Sequence, residues 1–229
     1  MAVTLKKLSG NPCEGCALEI VTDPEIRPFE EEQIRSFLEK IKHHIHECWY
    51  FIALFAGLRE AEMLGLTWDC VDLAKGTMTV KQQLQKERKK GGAYHITSPK
   101  NSKPRTITIP SSVVQMFLRQ RSKLDEMEAR AGSAWQPTVP LFCEIDKKTH
   151  QYDLVFRNAL GGPLSYRTIY DCFERIVASI GLPEARVHDL RHTFATIALQ
   201  SGVDIRTVGS GNAGFTNALR ILPKPLAFL

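Results

Sequence analysis

At 229 residues, with 43% apolar and 24% charged side chains, the chain has the composition of one globular domain, or one domain plus a fragment. No run approaches the roughly 20 apolar residues of a membrane helix, and the opening MAVTLKKLSGNPCEGC has no apolar core of signal-peptide length. Membrane and secreted classes are therefore set aside, and a reducing cytoplasm is the expected compartment. The net charge of +5 is localised: Lys81 to Arg105 holds eight basic residues and one acid, Glu87, for +7, so the remainder sums to −2. Such a stripe is an electrostatic footprint for nucleic acid, although the charge run alone also fits a solvated loop.

In chain order, residues 1–24 carry no sustained periodicity and read as a lead-in, the linker or remnant of a preceding domain. After Pro28, the spacing of Phe29, Phe37, Leu38 and Ile41 predicts an amphipathic helix. The nearly continuous apolar run Trp49 to Gly57 predicts a buried one. Gly57 punctuates that run, and Arg59-Glu-Ala-Glu-Met-Leu begins a further helical segment ending near Gly65. From Trp68 to Pro110, TMTVKQQL, AYHITS and RTITIP alternate and are β-branched, which predicts a small three-stranded antiparallel sheet with basic turns. Helix is expected again from Ser111 toward Gly132, then a loop-rich stretch over 132–164. Ser165 is placed to cap a helix carrying Ile169, Phe173, Ile176, Val177 and Ile180. HDLRHTFAT (188–196) begins the next. The fold class is α+β and mostly helical.

Six cysteines are scattered along the chain. Cys13-Glu-Gly-Cys16 resembles half a zinc knuckle, but His43, His44, His46 and Cys48 supply no second half at ligand spacing. Reduced thiols and no metal or other cofactor are expected.

Four basic groups stand at distinct positions. Arg59 follows a core helix, where a charge needs a carboxylate or an anion, and Glu62 three residues on is the plain carboxylate partner. Lys100 lies at a strand–turn junction, where a lysine is ordinarily just solvated. His188 and Arg191, three apart, share one face of a helix start and suit a phosphate. Each alone is weak; together, in this order, they are not.

With AGLREAEMLGLTW around Arg59, SPKNSKPRTITIP around Lys100 and HDLRHTFAT around His188 and Arg191, residues 13–208 resemble the catalytic domain of tyrosine recombinases of the phage integrase type. NPCEGC also looks like the linker that follows these proteins' N-terminal DNA-clamping domain. The resemblance implies the recombinase catalytic fold over 25–208, a divergent tail over 209–229, and double-stranded DNA as partner, with homo-oligomers forming on it. It implies cleavage by a tyrosine hydroxyl through a phosphotyrosine link, without metal. Arg59 and Arg191 would stabilise the non-bridging oxygens, Lys100 would protonate the departing 5′ oxygen, and His188 would donate to the phosphate or assist at the nucleophile. Glu62 would orient Arg59 from behind. Lys86, Arg88, Lys89, Lys90, Lys103 and Arg105 are the expected DNA-binding residues.

The pattern breaks after SGVDIRTV. The family places a Gly-His pair there and then the tyrosine, whereas all five tyrosines of this sequence (50, 94, 152, 166, 170) come earlier. The hydroxyls of Ser201, Thr207, Ser210 and Thr216 are far weaker acids than a phenol and have no evident base. The chain as written is therefore expected to hold a phosphate without cutting beside it, and to be monomeric in free solution. A non-catalytic DNA-binding remnant and a type IB topoisomerase-like enzyme are the alternatives.

Overall fold

The computed structural model describes residues 27–87, 91–99 and 103–200. Six helices follow in chain order: α1 (Glu31–Ile41), α2 (Glu47–Ala56), α3 (Glu60–Leu64), α4 (Ser111–Ala131), α5 (Tyr166–Ser179) and α6 (Val187–Gln200). Seven strands lie between α3 and α5: β1 (Val71–Asp72), β2 (Thr77–Val80), β3 (Gln83–Lys86), β4 (Tyr94–Thr97), β5 (Arg105–Thr108), β6 (Val139–Cys143) and β7 (Lys148–Tyr152). About half of the described chain is helical, and the strands form small sheets beside the helices.

Helix α2 is the centre of the core. It is apolar around its whole circumference, and every residue from Cys48 to Phe55 is buried, the pattern of a helix enclosed on all sides. It packs on α1, α4 and α6. Tyr50 is fully buried within it, and its hydroxyl donates to the Ile169 carbonyl of α5 at 2.8 Å, which satisfies the one polar atom on that face. Phe37, Tyr50 and Phe173 meet edge-on or tilted at 5.8–6.0 Å between α1, α2 and α5. Ser165 caps α5 as its sequence predicts, its hydroxyl accepting the Arg167 N–H at 3.2 Å.

The three-stranded antiparallel sheet is present, with a different membership from the one expected. TMTVKQQL is not one strand: it breaks at Lys81-Gln82, β2 pairing with β1 and β5 while β3 pairs with β4. The break has a local cause, since the buried Gln82 side chain turns inward and donates to the Gly65 carbonyl at 2.9 Å. The stretch expected to be loop supplies β6 and β7, which complete a second sheet in the order β3-β4-β6-β7, with β4 and β6 parallel. KTHQY of β7 is exposed almost throughout and carries no apolar alternation, and the preceding turn puts Lys147 rather than glycine at positive φ. Neither strand signal nor turn signal was there to be read. Buried Arg157 fastens this region to its neighbours, donating to the carbonyls of Leu154, Gln136 and Pro137, each at 2.8 Å.

Among the described residues no helix is long and apolar enough to cross a membrane, and no group of three or more His, Cys, Asp or Glu is placed to hold a metal ion. Cys13 and Cys16 lie outside the described residues, as do the proposed lead-in over 1–24 and tail over 209–229.

Candidate functional site

The site forms where the C-terminus of α2, the start of α3, strand β5 and the first turns of α6 converge. Helix α2 stops because Gly57 takes the left-handed conformation (φ 59°), which ends the helix and turns the chain toward Arg59. Arg59 is the N-cap of α3. Its backbone N–H donates to Glu62 Oε2 at 2.9 Å, the half of a capping box that a glutamate at the third helical position supplies. Its guanidinium reaches the same carboxylate through Nη1 at 3.2 Å, with the side chain one-third exposed.

Glu62 is fully buried and takes four hydrogen bonds. Besides the two from Arg59, Arg105 of β5 donates through Nη1 to Oε1 at 3.0 Å and through Nη2 to Oε2 at 2.6 Å. Burial alone would raise the Glu62 pKa, but the Arg105 hydrogen bonds, the Arg59 N–H and both arginine charges outweigh it and hold the carboxyl below its ordinary value. This buried charge is therefore ionised and its lone pairs are used. Arg105 faces inward because of strand register: it stands opposite Val80 of β2, and Met78 opposite Ile107, on one face of the pair.

Arg191 approaches from α6. Its Nη1 donates to the Gly57 carbonyl, and no carboxylate among the described residues lies within salt-bridge distance of it. Burial and the nearby Arg59 charge pull its pKa below the ordinary arginine value, with Arg105 adding to the shift and Glu62 opposing it, so three guanidiniums and one carboxylate share this corner. Guanidinium remains the charged form in proteins, and the excess positive charge is a demand for an anion.

His188 is exposed one turn earlier on α6, its ring edge-on to His192 at 4.7 Å between centroids. Partial burial, then the neighbouring His192 and Arg191, hold its imidazole below the usual pKa, so the ring is neutral at pH 7. The turn is fixed beneath it by Asp189, buried, which accepts the Arg186 N–H at 2.8 Å.

The structure thus brings Arg59, Glu62, His188 and Arg191 together and adds Arg105, which the sequence reading placed with the DNA-binding lysines. The signal was available: the alternation of RTITI puts Arg105 on the same face as Ile107 and Ile109. Lys86 ends β3 exposed, its amine 5.2 Å from the Tyr94 ring centroid, and Lys103 is exposed just before β5. Lys100, Arg88, Lys89 and Lys90 lie outside the described residues.

The phage integrase family model matches residues 25–211, which spans every element described above. The chain belongs to the phage integrase family. It is 29% identical over 237 residues to a tyrosine recombinase XerC-like protein of Caldanaerobacter subterraneus subsp. tengcongensis, covering 95% of this chain and 58% of the relative. It is 23% identical to an integrase of Saccharopolyspora erythraea, covering 88% of this chain and 54% of that protein. Among solved structures, it resembles the Tn1549 transposon integrase in complex with transposon right end DNA, with a TM-score of 0.67, 25% identity, and coverage of 89% of this chain and 63% of that one. The chain spans somewhat over half the length of the relatives it matches. Fold and family together mark it as a tyrosine-recombinase catalytic domain.

Proposed function

We propose that this chain binds duplex DNA and grips one backbone phosphate through Arg59, Arg191 and His188, the phosphate-holding half of site-specific strand exchange. The observation that carries this reading is the charge balance of the site. Arg105 occupies both oxygens of the buried Glu62 carboxylate, which leaves Arg59 and Arg191 with a joint excess of positive charge beside an exposed imidazole.

The roles follow from chemistry. A pentacoordinate phosphorus places extra negative charge on its non-bridging oxygens, and guanidiniums fixed in advance stabilise it without reorganising. Glu62 and Arg105 hold Arg59 in place from behind. Neutral His188 offers one ring N–H to a phosphate oxygen. Lys100 is the general acid in this reading, delivering a proton to the 5′ oxygen, with residues 25–208 forming the catalytic domain and 1–24 and 209–229 its flanks. The Tn1549 integrase, whose structure holds DNA, supports duplex DNA as the partner. Assembly of several copies on DNA is part of the same reading.

No tyrosine of this sequence follows Tyr170, and Tyr170 lines a cavity of only about 20 Å³ beside His188 and Arg191, far too small for a phosphodiester. The 229-residue chain is accordingly expected to bind without forming a phosphotyrosine. Incubation with a nicked suicide duplex, followed by a denaturing gel, tests this. Retarded DNA under native conditions with no covalent adduct is the expected result. An adduct overturns the no-cleavage reading, and absence of native binding overturns the DNA-binding one.

A further inference from the structure

Glu60, the residue after Arg59, has no part in the scheme above, yet it shares a cavity with the site. The cavity, about 20 Å³, is lined by Trp49, Glu60 and Tyr170 together with His188 and Arg191. That is room for a single water molecule. Among the described residues two buried side-chain polar atoms lack a hydrogen-bond partner, Trp49 Nε1 and Glu60 Oε1, and both belong to residues that line this cavity. One is a donor and the other an acceptor, so one water accepting from the indole and donating to the carboxyl satisfies both. On its other side the Glu60 carboxyl takes a hydrogen bond from the Tyr170 hydroxyl.

We propose that Glu60 is a positioning residue for the phosphate-gripping pair His188 and Arg191, holding one water against Trp49 and passing its own charge state to the His188 imidazole across the shared cavity. The inference rests on the phosphate-binding reading of that pair. Burial pushes the Glu60 pKa up to about 7, which the Tyr170 hydrogen bond only partly offsets. The groups facing it are Tyr170 from α5, with Tyr166 and Arg186 beyond, Trp49 from α2, and His188 and Arg191 from α6, with Arg59 and Glu62 along its own helix. Protonated Glu60 leaves the full excess of positive charge at the site. Ionised Glu60 adds a second carboxylate behind it, weakening the hold on phosphate and favouring the protonated form of His188.

The test uses the full chain and its Glu60→Gln variant. Glutamine keeps the shape and hydrogen bonds, so a purely structural role predicts identical pH behaviour. The ring resonances of His188, followed by NMR without DNA, are expected to show two inflections in the parent, one near neutral pH from Glu60, and a single one in Glu60→Gln. Affinity for a short fluorescent duplex is expected to fall between pH 6 and pH 8 by about three-fold more in the parent than in the variant. Superimposable His188 titrations overturn the proposal. Should Glu60→Gln not fold, the protonated-carboxyl infrared band of the parent decides: it must disappear in step with one His188 inflection, and its absence above pH 6 overturns the proposal. Failure of both proteins to bind duplex at any pH counts against the DNA-binding reading, while the ring titrations still decide the coupling.

Discussion

Arg105 meets both carboxylate oxygens of Glu62, at 3.0 and 2.6 Å, while the Arg59 guanidinium touches one of them at 3.2 Å. The strand arginine thus neutralises the buried charge and the helix-capping arginine stays partly available. Replacing Arg105 by alanine leaves Glu62, whose side chain has no exposure, with Arg59 alone. Removing one partner of a buried pair costs about 3 kcal/mol. The expected outcome of Arg105→Ala is a stability loss of that order by denaturant titration. Folded Arg105→Ala should also bind duplex about ten-fold more weakly, because Arg59 is drawn fully onto the carboxylate. Parent-like stability and affinity would contradict the division of labour between the two arginines.

Gly57 has two duties. It ends α2 at φ 59°, and a Cβ built there would lie 2.1 Å from Phe194 Cδ1 of α6. Its carbonyl also receives Arg191, so the spot where α6 rests on α2 is the spot that aims the second arginine. Gly57→Ala combines left-handed strain with a steric overlap against a buried ring. A loss of about 2–4 kcal/mol is expected, together with a loss of duplex affinity in whatever fraction folds. Thermal unfolding and native gel retardation measure the two. A variant that unfolds at the parent temperature would show that α6 can shift without penalty.

Two neighbouring glutamates give the stability–pH curve opposite slopes. Glu62 has its folded pKa held below the unfolded value of 4.5, so its contribution is present above that value and is lost as pH falls through the lower, folded one. Glu60 has its folded pKa raised from 4.5 to about 7, so its contribution is complete below 4.5 and is lost as pH rises toward 7. The loss on that limb is bounded at about 3 kcal/mol, reduced by whatever exposure Glu60 retains. Denaturant midpoints across this window should decline in the parent and stay flat in Glu60→Gln. An equal decline in both would assign the slope to another group.

Most helices of this fold are legible in the sequence, because the spacing of Ile169, Phe173, Ile176 and Val177, or the unbroken apolar run of α2, has one physical solution. The Arg59–Glu62 pairing is legible too, being local. The alternation of RTITI turns Arg105 inward, but its pairing with Glu62 is not legible: it depends on which strands pair, and TMTVKQQL gives no sign that Gln82 turns inward to Gly65 and splits it in two. The β6–β7 hairpin escapes because β7 is nearly all polar and exposed. Glu60 escapes for another reason. An acidic residue in the first turn of a helix reads as ordinary dipole compensation, and only the packing of Trp49, Tyr170 and His188 around it shows that it is half-buried with one carboxyl oxygen enclosed.

The exposed lysines flanking the sheets supply the last prediction. Lys86 and Lys103 lie exposed within the basic stretch, and Lys86 is braced over the Tyr94 ring. If the proposed DNA binding uses these lysines, they act on phosphates through counterion release and set the salt dependence of binding rather than any sequence preference. Lys103→Ala should lower the slope of log affinity against log salt by about one while leaving stability unchanged. Lys86→Ala should do the same, with a slightly larger loss of affinity because the tyrosine-braced amine has less freedom to lose on binding. Isotherms at several salt concentrations measure the slope. A fall in affinity that is the same at every salt concentration would mean that these lysines shape the sheet edge and do not touch the DNA backbone.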